Sequence, residues 1–74
     1  MYFTDFFEMN RIKEFLEQKE LTQTWLAEEL GKSYNMVNGY VQNRKQPRLE
    51  ILAEIAKILD VDVKDLIVST KEND

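Results

Sequence analysis

Apolar residues recur every three or four positions along most of the chain, which is the spacing expected for one buried face of an α-helix. In the first such run the apolar residues are Met9, Ile12, Phe15 and Leu16. Asp5 and Glu8 stand three residues apart just before it, as the two partners of a capping box do. We therefore predict a first helix that begins near Asp5 and ends at Lys19 and Glu20.

Two further helices are predicted on either side of a glycine. Thr22 is suited to cap the second helix, whose buried stripe consists of Leu26, Ala27 and Leu30. Gly31 stands where a left-handed residue ends a helix. Ser33 is a good N-cap for the third helix, and it follows that glycine by only two residues. The second and third helices are therefore expected to meet in a tight turn.

The third helix is predicted to have one apolar and one polar side. At ~100° per residue, the apolar side chains occupy one arc of the helix; they are Met36, Val37, Tyr40 and Val41. The opposite arc is uncharged and rich in amides, and its members are Tyr34, Asn35, Asn38 and Gln42. The pattern assigns Tyr40 to the core. Asn43 is expected to end the helix, because asparagine tolerates the left-handed conformation.

A basic loop, residues 44–47, leads to a fourth helix predicted from about Arg48 to Leu59. Its core stripe is expected to consist of Leu49, Leu52, Ile55, Ala56 and Leu59. Asp62 is suited to cap a last short helix from Val63 to Ile67, with Leu66 facing inward. No alternating segment is long enough to predict a strand of more than a few residues. The pattern thus predicts an all-α fold.

Negative charge is absent from one part of an acidic chain. Acidic residues outnumber basic ones fourteen to ten, yet none lies between Gly31 and Leu49. This acid-free window contains four basic residues, Lys32, Arg44, Lys45 and Arg48. Each flank of the window carries three basic and seven acidic residues. A surface that contacts phosphate requires such a segregation of charge, whereas a protein-binding surface has no reason to exclude Asp and Glu.

The composition excludes most catalytic and metal-binding functions. The chain has neither Cys nor His, so it cannot build a thiol nucleophile, a histidine general base or a Cys/His zinc site. Asp60, Asp62 and Asp65 lack the spacing of a calcium loop, and two glycines are too few for a phosphate-binding loop. We therefore expect no enzyme activity, no metal, no cofactor and no small-molecule ligand.

The compartment is predicted from what the sequence does not contain. No apolar run approaches the ~20 residues of a membrane-spanning helix. The first eight residues are aromatic and acidic, which is wrong for a signal peptide. A cytoplasmic protein of one domain, with no membrane partner, is therefore expected.

Three stretches, LTQTWLAEELGKS, MVNGYVQNRKQP and LEILAEIAKILDVDVKDLI, together resemble the Cro/C1-type helix-turn-helix family, also called XRE-like. The resemblance covers roughly Asn10 to Ile67. It implies a compact five-helix, lambda-repressor-like DNA-binding domain, here residues 9–68, which acts on double-stranded DNA as a symmetric homodimer. Residues 1–8 then form an aromatic N-terminal extension, expected to pack against the C-terminal part as a dimer contact. Residues 69–74 form a polar C-terminal tail.

The resemblance also implies two sets of DNA contacts. The positions that match base-reading residues are Tyr34, Asn35 and Asn38. The positions assigned to the DNA backbone are Gln23, Lys32, Ser33, Gln42, Arg44 and Lys45. Gln23 is also expected to brace a base-reading side chain. The chemistry agrees, since asparagine can pair with adenine N6 and N7, and amides at helix N-termini suit phosphate.

Some residues depart from the family pattern. Gly39 lies inside the third helix, where it costs up to ~1 kcal/mol relative to alanine, and its place beside the polar arc suggests a close approach to DNA. Asn43 replaces a common glycine and Arg48 replaces a common Ser or Thr cap. Trp25 replaces an acidic capping partner, and the sequence leaves open whether it packs on the domain or lies near the DNA backbone.

The expected function is that of a bacterial or phage transcriptional repressor that binds a two-fold-symmetric operator. Two alternatives stay open at this point. One is an antitoxin or restriction-controller protein, which binds DNA and also a protein partner. The other is a protein-interaction module built on the same helical scaffold.

Overall fold

The computed structural model describes residues 9–68, which form a mostly helical domain. Helix α1 spans Ile12–Gln18, α2 Gln23–Leu30, α3 Tyr34–Val41 and α4 Leu49–Leu59. A 3-10 helix, Val63–Leu66, follows α4. Strand β1, Met9–Asn10, pairs antiparallel with β2, Ile67–Val68. The predicted capping box of Asp5 and Glu8, the N-terminal extension and the C-terminal tail lie outside the described residues.

The predicted N-caps of the second and third helices are confirmed. The Oγ1 atom of Thr22 accepts a hydrogen bond from the backbone N–H of Trp25 at 3.0 Å. The Oγ atom of Ser33 accepts one from the backbone N–H of Met36 at 3.1 Å. Each bond satisfies an N–H group that the first turn of a helix leaves without an internal partner. The start of both helices is thus fixed by a local side chain.

All four α-helices end on a residue in the left-handed conformation; these residues are Glu20, Gly31, Asn43 and Asp60. In each case the N–H of the left-handed residue and the N–H of the residue after it donate to carbonyls of the last turn, as in a Schellman motif. After α1, for example, Glu20 N–H donates to the Glu17 carbonyl at 3.1 Å, and Leu21 N–H to the Leu16 carbonyl at 2.8 Å. The left-handed conformation was predicted for Gly31 and Asn43 but not for Glu20 and Asp60, although the ends of both helices were predicted near these residues.

The core is formed by one face of each helix, together with Leu66 from the 3-10 helix. Tyr40 is buried in it, as predicted. Trp25 packs against the core as a partly buried side chain, as one of the two alternatives left open for it predicts. Leu49 was wrongly assigned to the core. It is 62% exposed because it is the first residue of α4 and lies before the buried stripe of that helix, which begins at Leu52.

Two further predictions are wrong at the ends of the domain. Met9 does not lie on the apolar face of the first helix, because residues 9–10 are extended and α1 begins only at Ile12. Ile67 does not continue the last helix but pairs with Asn10 across the two strands. The domain is therefore not strictly all-α and does not have five α-helices. No helix among residues 9–68 is long and apolar enough to span a membrane.

Asn10 is a buried polar residue that joins the N-terminal strand to the end of α3. Its Nδ2 donates to the Tyr40 carbonyl at 2.9 Å and to Gln46 Oε1 at 2.8 Å. Its Oδ1 accepts from the backbone N–H of Ile12 at 3.0 Å. Its backbone N–H donates to Asn43 Oδ1 at 2.7 Å. Because each polar atom of the side chain has a partner, burial of this amide is compatible with a stable core.

We expect Glu20→Gly to stabilise the domain. The left-handed conformation costs a residue with a Cβ ~1–2 kcal/mol, and glycine removes this cost. Part of the resulting stabilisation is offset because an unfolded chain is more flexible at glycine. The expected net gain in the free energy of unfolding is about 0.5 kcal/mol or more, measured by urea denaturation. Glu17→Gly is the matched control, since it changes the same charge inside α1 and must destabilise. Equal effects of both variants on the free energy of unfolding would contradict the left-handed strain assigned to Glu20.

We expect Asn10→Ala to destabilise the domain by about 1–3 kcal/mol, because it leaves the Ile12 N–H without its partner and removes one of the two donors to the Tyr40 carbonyl, the other being Asn43 N–H. Met9→Ala changes the exposed neighbour on the same strand and should cost less than about 0.5 kcal/mol. Urea denaturation of both variants measures the difference. If the two midpoints coincide, the bonds of the Asn10 side chain contribute nothing to stability.

Candidate nucleic-acid interface

One side of α3 is polar, uncharged and open to solvent. This polar face consists of Tyr34, Asn35, Asn38 and Gln42. Tyr34 is 49% exposed and Asn38 is half-buried. The opposite side is anchored in the core by Val37, Tyr40 and Val41. The side chains of α3 therefore divide as the sequence pattern predicted, with Met36 as an exception because it is 39% exposed.

Asn38 is the centre of a chain of hydrogen bonds across the polar face. Its Nδ2 donates to Gln23 Oε1 at 2.8 Å, which provides the predicted contact between Gln23 and a candidate base-reading residue. Arg44 Nη2 donates to Asn38 Oδ1 at 2.6 Å. A short bond from a guanidinium is charge-assisted and is stronger than a bond between neutral groups. Residues from α2, α3 and the following loop are thus connected, and the contact of Arg44 was not predicted.

Lys32 and Ser33 lie together in the turn between α2 and α3. The Ser33 hydroxyl oxygen is occupied by the N-cap bond to Met36, which places the residue at the N-terminus of α3. Lys32 is fixed through its backbone, since its N–H donates to the Ala27 carbonyl at 3.1 Å. The turn therefore presents a hydroxyl and an ammonium group beside the first turn of α3.

A groove beside α3 collects basic side chains from three parts of the chain. This basic groove has a volume of about 290 Å³ and is lined by Lys32, Met36, Tyr40, Lys45, Gln46, Arg48 and Ile51. The three cations come from the α2–α3 turn, the basic loop and the N-cap of α4, and no acidic residue lines the groove. The structure thus brings Lys32 and Lys45 together. It adds Arg48, which the sequence offered only as a charge within the acid-free window.

The basic loop is held against α3 by its backbone. The Gly39 carbonyl accepts hydrogen bonds from Arg44 N–H at 3.0 Å and from Lys45 N–H at 3.2 Å. Asn43 and Gln46, on either side of these cations, both bond to Asn10.

The role of Asn10 was not predicted from the sequence, because a polar residue beside the first apolar run looks like an ordinary solvent-facing position.

The arrangement is suited to reading a polar groove between two rows of phosphates. A neutral face of amides and a phenol can both donate and accept hydrogen bonds to base edges, and an α-helix fits the major groove of B-DNA. Arg44 is bonded to Asn38 on this face, and the cations of the basic groove lie on the Met36 and Tyr40 side of the same helix, where they can contact phosphate. Among the described residues no group of three or more carboxylates lies close enough together to hold a metal ion.

Comparisons with known proteins agree with this geometry. The family model described as Helix-turn-helix matches residues 12–66. A candidate DNA-binding protein from Bacteroides fragilis is 43% identical, with 81% of this chain and 97% of that chain covered and a TM-score of 0.79. The hypothetical transcription factor NHTF from Neisseria has the same fold at 22% identity, with 85% and 72% covered and a TM-score of 0.71. No curated protein matches the chain.

The family match covers the two helices, the turn between them and the core that supports α3. The chain therefore belongs to the Cro/C1-type helix-turn-helix family.

Proposed function

We propose that this protein binds double-stranded DNA sequence-specifically, with α3 in the major groove. The observation that carries the proposal is the uncharged, solvent-open polar face of α3, with Arg44 bonded to Asn38 on it and three further cations in the basic groove beside the same helix. Family membership and the name of the Bacteroides fragilis relative support it. From the overall charge of −4 we also expect weak binding to unrelated DNA, because the acidic surface outside the interface repels phosphate.

The side chains have two roles in this proposal. Tyr34, Asn35 and Asn38 contact base edges. The groups that contact the DNA backbone are Gln23, Lys32, Ser33, Gln42, Arg44 and Lys45. The solvent exposure of the Asn35 side chain supports its assignment as a base-contacting residue, because its amide is free to pair with adenine N6 and N7.

We further propose a homodimer that acts as a transcriptional repressor in the cytoplasm. Two copies related by a two-fold axis would place their α3 helices about one helical turn, ~34 Å, apart on one face of the DNA. Occupation of such an operator within a promoter would exclude polymerase sterically.

Selection from a random duplex library, followed by binding titrations at two salt concentrations, tests the proposal. We expect enrichment of a two-fold-related site and an affinity that falls as the salt concentration rises. A protein-interaction module would give no enrichment, and any residual binding to duplex would be insensitive to salt. That outcome would overturn the proposal.

Asn35→Ala and Lys45→Ala should affect binding in different ways. Loss of a base contact is expected to cost about 1–3 kcal/mol against the selected site and to relax the preference at one position. Loss of a phosphate contact should weaken binding to all sequences alike and reduce the slope of log K against log salt by about 0.9. Titrations of both variants on the selected site and on random duplex measure this. The division of roles is wrong if the two variants behave alike.

Gly39→Ala should stabilise the fold but weaken DNA binding. A Cβ at this position would meet only the Lys45 Cβ, at 3.9 Å, and the glycine lies inside a helix, so alanine gains ~1 kcal/mol. The methyl group would stand at the edge of the polar face and keep the DNA at a distance. Thermal unfolding and a DNA titration measure the two effects.

Ala53→Gly is the control for this substitution, because Ala53 is exposed on α4 and lies outside the proposed interface. It should lower the melting temperature and leave the affinity for DNA unchanged. Unchanged affinity in Gly39→Ala would show that close approach at this glycine is not required.

A further inference from the structure

We propose that Arg44 reads a guanine in the major groove and that Asn38 positions it there. The inference rests on the proposed function and changes the role of Arg44 within it from a backbone contact to a base contact. Asn38 becomes a positioning residue, which acts through the guanidinium that it holds.

The position of the guanidinium is the first argument. Arg44 follows the end of α3, and its side chain turns back along the helix to bond Asn38 at 2.6 Å. Asn38 lies in the middle of the polar face. The cation therefore lies over the surface that would face base edges. Lys45, in contrast, lines the basic groove.

The second argument is the hydrogen-bonding capacity that remains. A guanidinium has five N–H donors, of which one is occupied by Asn38, and bidentate pairing with guanine O6 and N7 needs two. The amide of Asn38 is already engaged on both sides, by Gln23 at its nitrogen and by Arg44 at its oxygen. Pairing with adenine would compete with a charge-assisted bond, so Asn38 is poorly placed to act as an independent reader.

The third argument is preorganisation. The backbone of Arg44 is fixed by its bond to the Gly39 carbonyl at 3.0 Å, and its head group is fixed by Asn38. Asn38 is held in turn by Gln23, from the start of α2. An arginine that is ordered before binding loses less conformational entropy when it contacts a base.

The test begins with the site that the wild-type protein selects from a random library. Failure to select any site would count against the proposed function itself and is thereby distinguished from failure of this inference. In the selected half-site we expect one guanine whose replacement by 7-deazaguanine, which lacks the N7 acceptor but keeps O6, weakens binding by part of the roughly 5- to 150-fold that a whole bidentate pair contributes.

Arg44→Lys retains the charge but loses the planar pair of donors, so it tests reading rather than attraction to phosphate. We expect Arg44→Lys to lose part of its preference for that guanine, since an ammonium can still donate to O6 or N7 without the fixed planar geometry. We expect Arg44→Ala to lose the preference and to become insensitive to 7-deazaguanine. The matched control, Lys45→Ala, should retain both the preference for the guanine and the sensitivity to 7-deazaguanine. If Arg44→Lys and Arg44→Ala lower affinity uniformly or not at all, with the guanine preference intact, the inference is overturned.

A double-mutant cycle tests the role of Asn38. If Asn38 acts through Arg44, Asn38→Ala lowers the guanine preference in the wild-type background and has no effect on it in the Arg44→Ala background. Additive effects, or loss of preference for an adenine instead, would show that Asn38 reads a base by itself. Circular dichroism melts of each variant confirm that it folds, which is expected because Arg44 is exposed.

Discussion

The hydrogen bonds between Asn10 and the end of α3 tie the strand pair at the termini of the domain to the loop that carries its basic residues. Asn10 lies on β1, which pairs with β2, and it bonds Tyr40, Asn43 and Gln46. Asn43 in turn has the left-handed conformation that directs the chain from α3 into the loop. The place of Arg44 and Lys45 beside the polar face therefore depends on a residue more than thirty positions away in the sequence.

This constraint explains how an acidic protein can present a positively charged surface. The positive charge of the acid-free window lies in a turn, a loop and a helix cap, and the fold gathers these segments around the basic groove. The polar face itself carries no charge apart from the guanidinium that Asn38 holds over it. Under the proposed function, attraction to phosphate and discrimination between bases belong to different groups, and we expect that each can be changed without loss of the other.

Local rules predicted much of the fold. Thr22, Ser33, Gly31 and Asn43 act through bonds within a few residues, and the apolar arc of α3 follows from helix periodicity. The strand pair was not predictable in this way, because two residues give no periodicity. The left-handed Glu20 likewise carries no sequence signal, because glutamate, unlike glycine or asparagine, has no preference for that conformation. The bonds of Asn10 and of Arg44 join distant side chains, which a single sequence does not reveal.

The groups that stabilise the short helix α3 are not the groups on its polar face. A helix of eight residues is marginal in isolation, so its order must come from the Ser33 cap, the left-handed Asn43 and the buried side chains of its apolar arc. None of these groups lies on the polar face. Tyr34, Asn35 and Gln42 can therefore vary with little effect on the fold or on the other side chains of the face, whereas a change at Asn38 also releases Gln23 and Arg44, which both bond its amide. Within this face, evolution of a new DNA preference is expected to begin at the three free positions.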